Sequence, residues 1–406
     1  MKGELEILLG EIQIGTITLF EGDRTIFTFY ESYINTVRRP ILSQAFFNMA
    51  GELITEFQPV RTKLHPFFSN LLPEGHLRTY LAERGGVKPE REYMLLQLLG
   101  SDLPGAIIVK PENLTLHGAK NQKETEPETI RGDLPYRFSL AGVQLKFSAI
   151  YESKAGLTIP TKGVGGDWII KLPSQSFTHV PENEWSMLHL AGESGIPVPE
   201  NNIIPLDKIN NLPDLGIFSD RNALAVKRFD RKENGSRIHI EDFAQVYSQY
   251  PHNKYGKVSC LNIANMLWTL TGEQGLTDFI RRLVFTIIIG NGDMHLKNWS
   301  FIYHDGITPT LSPAYDFVST VPYIPNDTLA LTISNTKKFE EITINHFQQL
   351  AKKAELPVYL VQQTVKEMIN TVMSAWETNR LHYELPKEII DRINKHIGRL
   401  SLTKSI

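Results

Sequence analysis

Residues 287–300 read I-I-I-G-N-G-D-M-H-L-K-N-W-S, and the order of chemistry in this run decides the fold. An apolar stretch stops at Gly290-Asn291-Gly292, Asp293 follows, and Asn298 stands five positions on. Trp299, Phe301 and Tyr303 then alternate as in a strand, and Asp316 arrives in A-Y-D-F. Residues five apart on a helix point about 140° away from one another, so the Asp293–Asn298 pair suits a loop. An acid, an amide and a second acid beyond a short hairpin spell a protein-kinase-like active site. There the first Asp takes or orients a hydroxyl proton, while the Asn and the second Asp hold Mg²⁺ against ATP phosphates. Mg²⁺ is hard and takes oxygen ligands, which a carboxylate and an amide supply. The D-x-x-x-x-N spacing also arises by chance, and Asp–Asn loops cap helices. The glycines before it, the strand-forming residues after it and Asp316 at loop distance weigh this copy towards catalysis.

Composition narrows the rest. A chain of 406 residues, 41% apolar and 21% charged, is an ordinary globular protein of two or three domains. A net charge of −3 provides no general attraction to nucleic acid or to an anionic membrane. The single cysteine, Cys260, excludes an internal disulfide and fits a cytoplasmic location. The first ten residues carry carboxylates where a signal peptide would be apolar, and no apolar run approaches a membrane span. Twelve histidines lie scattered without H-E-x-x-H, so zinc chemistry has no support.

Taken in order, residues 1–110 predict an α+β unit. Alternating apolar residues from Leu5 to Tyr30 suggest a small antiparallel sheet. Residues 67–84 and 89–99 suggest helices, with Pro89 in a first turn and Gly100 at a stop. Residues 111–135, with K-N-Q-K-E-T-E-P-E-T, have little to bury and read as a linker. Residues 136–239 carry strands, one helix near 182–193, and more strands, the order of a kinase N-lobe. From Ile240 to 406 the pattern turns helical, with the Asp293 loop set into it. The expected fold class is therefore α+β: two kinase-like lobes, an extra N-terminal α+β subdomain and a mostly helical C-terminal lobe.

Further candidates follow from this frame. Lys171 ends W-I-I-K-L-P, where an inward strand lysine would contact the α- and β-phosphates. A solvent-facing lysine is the commoner alternative. Glu184, near the start of the next helix, could pair with it or simply favour the helix N-terminus. Residues 139–146, S-L-A-G-V-Q-L-K, form a weak phosphate-loop candidate that is equally a β-turn. Lys227, Arg228 and Phe229 stand at the position of an adenine-binding hinge, though Phe229 could equally be core. Lys352 and Lys353 form a local basic spot for which a solvated helix face is the default.

Together these stretches resemble the HipA-type toxin kinases of bacterial toxin–antitoxin pairs. The resemblance spans nearly the whole chain: N-L-L-P-E-G at 70–75, S-L-A-G-V-Q-L-K at 139–146, I-I-K-L-P at 169–173, N-E at 183–184, A-L-A-V-K-R-F-D-R at 223–231, G-D-M-H-L-K-N at 292–298 and Y-D at 315–316. It implies that Asp293 is catalytic and that Asn298 and Asp316 bind Mg²⁺. It implies that Ala141, Gly142, Val143, Gln144, Leu145, Lys146 and Lys171 contact the ATP phosphates. Lys227–Phe229 would form the hinge, and His295, Lys297 and Tyr315 would line the nucleotide site. Ser139 would be an inactivating autophosphorylation site, since a phosphate carrying nearly two negative charges repels those of ATP. The implied substrate is a protein, typified by aminoacyl-tRNA synthetases. The implied partner is a helix-turn-helix antitoxin of the HipB type, through which the kinase meets operator DNA, with Lys352 at a possible DNA contact. The chain departs from the family pattern at Lys227 and Leu145. Two rival readings use the same motifs: a small-molecule phosphotransferase, and a pseudokinase co-repressor acting with a helix-turn-helix partner.

Overall fold

Alternating apolar residues at the start of the chain fold as an antiparallel meander. Strands β1 (Gly3–Leu9), β2 (Ile12–Phe20), β3 (Arg24–Phe29) and β4 (Val60–Arg61) pair in sequence, and β5 (Ile107–Pro111) returns beside β1. The computed structural model describes residues 3–111, 145–152, 156–160, 165–212, 218 and 220–404. Ser139, Ala141, Gly142, Val143 and Gln144 lie outside the described residues. Where one helix was expected over 67–84, there are two, Pro66–Ser69 and Gly75–Arg84. Pro73 cannot continue a helix, and Gly75 takes a left-handed φ of +54°. The next helix starts at Glu92, after Pro89, and stops at Gly100 as expected.

A second sheet holds β6 (Lys146–Glu152), β7 (Gly156–Thr158), β8 (Trp168–Lys171), β9 (Asn201–Pro205), β10 (Ile209–Asn210) and β11 (Asn222–Lys227), in the spatial order β10-β7-β6-β8-β11-β9. Strand side chains alternate between faces. On β11, Ala223 and Ala225 join the core shared with the N-terminal sheet. Leu224 and Val226 join the core shared with the helices. The second sheet is thus packed on both faces and welds the N-terminal unit to the rest. The helix Val180–Glu193 lies against β11, with Met187 and Leu188 buried.

The change to helix comes later than Ile240. His239–Asp242 is a strand, β12, antiparallel to β13 (Ser300–Tyr303), which pairs with β14 (Thr310–Leu311). Ile238, Ile240 and Ile302 make a small apolar cluster of their own. Residues 238–241 are all buried, so the pattern has no alternation to tell this strand from a helix start. Beyond it, Cys260–Ile289 is one long helix broken at Gly272 (φ +64°, ψ −149°), and it packs on Val358–Asn379. Gly290 ends it at φ +66°, and a side chain there would also meet Val321 at 2.7 Å. Among the described residues no helix is long and apolar enough to cross a membrane.

A buried ion cluster ties the N-terminal unit to the segment after β11. Arg228 donates to Asp230 (2.7 and 2.9 Å) and to Asp102 (3.1 Å), and Arg231 donates to the same two acids. The Arg228 side chain is fully buried. Removing one partner of such a group strands a charge in a water-poor site. Asp102→Ala should therefore lower unfolding free energy by about 3 kcal/mol in denaturant melts; a change under about 0.5 kcal/mol, typical of a surface site, would show that the cluster does not join the two parts.

Candidate active site

The site is built where the second sheet, the helix Val180–Glu193 and the loop after the long helix converge. Lys171 ends β8 and is buried, with its ammonium paired to both Glu184 and Asp316. Lys146, at the start of β6, reaches the other oxygen of Asp316 at 3.4 Å. Burial opposes the Asp316 charge most strongly, yet Lys146 and Lys171 hold its carboxyl well below the usual range. Burial likewise works against the Lys171 ammonium, but Asp316 and Glu184 raise its pKa. Lys146 and Glu184 shift towards their neutral forms, chiefly through burial. Asp316 has a φ of +55°, a left-handed conformation uncommon outside glycine. Neighbouring contacts fix it: Asn291 donates to its carbonyl at 3.4 Å, and Asn183 holds Ser319 through both its amide atoms, each at 2.9 Å. The Asn183-Glu184 pair therefore has two tasks, one on the segment after Asp316 and one on Lys171.

Asp293 is held by its own loop. Its N–H donates to Asn291 Oδ1 at 3.0 Å, and its carbonyl accepts from the His295 N–H (2.8 Å) and the Asn298 amide (2.9 Å). Gly292 leaves room for the Asp327 carboxylate, which a Cβ at 2.1 Å would force to move. The Asp293 side chain is half exposed to the cleft and accepts from the Tyr255 hydroxyl at 2.5 Å. Burial raises its pKa, with the Tyr255 hydrogen bond acting against that. The Asn298 nitrogen is committed to the Asp293 carbonyl, which leaves the amide oxygen as the group a cation can use. His295 is buried, 4.0 Å from Asp293, and burial followed by Lys254 and Lys297 lowers its pKa to about 3. It is neutral at ordinary pH.

Two connected spaces open from this centre. The larger, about 600 Å³, is lined by Leu145, Lys146, Glu184, Asp293, Asn298 and Asp316 among others. The second is a mostly apolar slot between the lobes, walled by Ile169, Val226, Phe229, Ile240 and Tyr315, with Lys171 and Asp316 at its mouth. Phe229 and Tyr315 face each other with ring centroids 5.7 Å apart. The Tyr315 hydroxyl is fixed by the Lys297 carbonyl (2.9 Å) and by Ser300 (2.5 Å). The two rings are in contact with each other and together make one apolar wall of the slot.

The hinge triplet divides. Phe229 faces the slot, the Lys227 ammonium turns outward to Glu200 at 3.1 Å, and the Arg228 guanidinium is spent on the ion cluster. The backbone N–H groups of Lys227 and Arg228 are also taken, by the carbonyls of Glu200 (2.8 Å) and Asp167 (2.7 Å). Lys352 is exposed on the helix Ile344–Lys353 and lines neither space.

Sequence reasoning missed the contribution of the N-terminal unit. Glu74 stands at the N-cap of Gly75–Arg84 but does not cap it. Its carboxylate crosses to Lys254 (3.0 Å) and to Lys297 of the Asp293–Asn298 loop (2.9 Å), and Lys297 also donates to the Asn70 carbonyl at 3.1 Å. The sole signal was an acid in N-L-L-P-E-G directly after a buried run. Asp242 and Gln245, which also line the slot, gave none.

A family model for the HipA N-terminal domain matches residues 5–110, and one for the HipA-like C-terminal domain matches residues 138–376. The chain is 46% identical over 404 residues to Y4dM of Sinorhizobium fredii, a protein named only as a candidate kinase, covering 98% of this chain and 97% of that one. It is 26% identical over 352 residues to the serine/threonine-protein kinase toxin HipA of Shewanella oneidensis, covering 79% and 76%. Among solved structures, it superposes on a chain of the Shewanella oneidensis MR-1 complex of HipA, HipB and operator DNA with a TM-score of 0.72, at 22% identity and over 97% and 96% of the two chains. That likeness concerns the fold, an α+β arrangement with two kinase-like lobes.

Glu74 provides a test with a sign. Burial raises its pKa, but Lys297 and Lys254 outweigh it and lower the value from 4.5 to about 2. A depressed carboxylate contributes stability that is fully present above about pH 4.5 and is lost as pH falls towards 2. Glu74→Gln should cost about 2 kcal/mol at pH 7, and the gap to wild type should close as pH falls through that window. A gap independent of pH would remove the ion pairs as its cause.

Proposed function

Since this chain belongs to the HipA family, we propose that it is a Mg-ATP-dependent protein serine/threonine kinase, the toxin of a toxin–antitoxin pair. The observation that carries the reading is the joining of Lys171, Glu184 and Asp316 into one charge group beside the Asp293–Asn298 loop, next to an apolar slot. Each group has a task in this scheme. The slot walls hold the adenine ring, with the 227–229 backbone at its edge. Lys171, kept charged by its two acids, and Lys146 bind phosphate oxygens; His295 and Lys297 complete the floor. Asp316 and the Asn298 oxygen hold Mg²⁺, which neutralises phosphate charge when bound. Two protein oxygens suffice, because Mg²⁺ takes the rest of its shell from phosphates and water. Among the described residues no group of three or more acids, histidines or cysteines competes for a metal.

Asp293 orients the acceptor hydroxyl and takes its proton. The bond from that oxygen to the γ-phosphorus forms as the bond to the β-phosphate oxygen breaks and ADP leaves. We assign Ser139 and residues 141–145 as the loop over the phosphates, with Ser139 as an acceptor that silences the enzyme. The domain limits we adopt are 1–110, 111–135, 136–239 and 240–406. A cytoplasmic location, a translation-related protein substrate and a HipB-type antitoxin that carries the kinase to operator DNA complete the proposal. The Shewanella oneidensis complex of HipA with HipB and operator DNA supports the last of these by analogy.

Labelled ATP and cell extract test it. Wild type should mark protein, and Asp293→Asn should reduce labelling by about 10²–10⁴-fold. Equal labelling by the two removes Asp293 from the reaction. Labelling of small alcohols in place of protein would favour a small-molecule phosphotransferase.

A further inference from the structure

The Tyr255 hydroxyl occupies the place the proposed mechanism reserves for an acceptor. It donates to the Asp293 carboxylate at 2.5 Å, the hydrogen bond a general base must make with the proton it removes. Tyr255 lines the same cleft as Lys146, Lys297, Asn298 and Asp316, so the phenol and the phosphate-binding groups face one space. Its pose is built rather than incidental. The ring meets His295 edge-on at 5.0 Å, and the backbone carbonyl accepts from Lys337 at 3.1 Å. The side chain is 43% exposed, at the lip of the cleft, which leaves it free to leave after reaction. A second copy of the chain is not needed to present it.

We propose that Tyr255 is an intramolecular phosphate acceptor, a tyrosine modification site set against the catalytic base. This rests on the kinase reading above. The phenol oxygen attacks the γ-phosphorus of ATP, the oxygen–phosphorus bond forms, the bond to the β-phosphate oxygen breaks, ADP departs, and the phenol proton passes to Asp293. The product has no proton to offer Asp293, and its phosphate adds about −1.5 to −2 of charge beside Asp293 and Asp316. It is driven outward, past Lys254, whose ammonium now sits on Glu74 at 3.0 Å. The modification thus clears the acceptor position for another hydroxyl and weakens the Glu74–Lys254 contact of the N-terminal unit.

The test is peptide mapping of the full-length chain after incubation with Mg-ATP. Phosphate is expected on Tyr255 in wild type and in Ser139→Ala, and is expected to vanish in Asp293→Asn and Tyr255→Phe. Its rate should not change when the protein is diluted, as befits an intramolecular step. An enzyme that phosphorylates Ser139 or an added protein while Tyr255 stays unmodified overturns the proposal and leaves the kinase reading standing. Phosphate on no residue and no added protein overturns both.

Discussion

A buried lysine ammonium held between two carboxylates is the constraint on which the structure depends. Lys171, Glu184 and Asp316 come from a strand, a helix and a loop, the loop lying more than a hundred residues beyond the other two. Burying any one alone would push it to its neutral form. Together they stay charged at Lys171 and Asp316, and so the three elements must meet in one geometry. Burial of an ion group is a poor source of net stability but a strong source of specificity, because partial assembly leaves a stranded charge. Asn183 extends the lock by pinning Ser319, and the left-handed turn at Asp316 is held from both sides.

The N-terminal unit is a working part of this arrangement. Its acids and carbonyls reach across in two places: Asp102 onto Arg228 and Arg231, and Glu74 with Asn70 onto Lys254 and Lys297. A third contact runs the other way, with buried Glu241 of β12 accepting from Ser43 and the Gln44 N–H. The first contact fixes the segment after β11. The second sets the lysine one position before Asn298. Because the second sheet is apolar on both faces, the sequence of its strands carries two cores at once. That explains why an alternation such as A-L-A-V in β11 uses small residues on one side and larger ones on the other.

Much of this was legible in the sequence. Asp293, Asn298, Asp316, Lys171 and Glu184 could be picked out because phosphate and metal chemistry restricts residue types and spacing, and the structure brings all five to one cleft. The strand pattern of β1–β3 and the helices around 180–193 and 358–379 were equally readable, because long regular burial leaves a period. What escaped was anything defined by partners far along the chain. Arg228 reads as a hinge residue until Asp102 is found beside it, 126 positions away. Glu74 reads as a helix-start acid until two lysines claim it. Tyr255 sits in N-K-Y-G-K, where nothing local marks a residue hydrogen-bonded to Asp293. The strand at 239–242 was hidden because four residues are too few to display a period.

The account requires Asp316 to exchange its lysine partners for Mg²⁺ brought in with ATP. The most direct measurement is ATP affinity by titration calorimetry with and without Mg²⁺, in wild type and in Asp316→Asn. Magnesium should tighten binding by about tenfold or more in wild type, about 1.4 kcal/mol, and should leave the variant nearly unaffected. Equal affinity in wild type with and without the ion would contradict it.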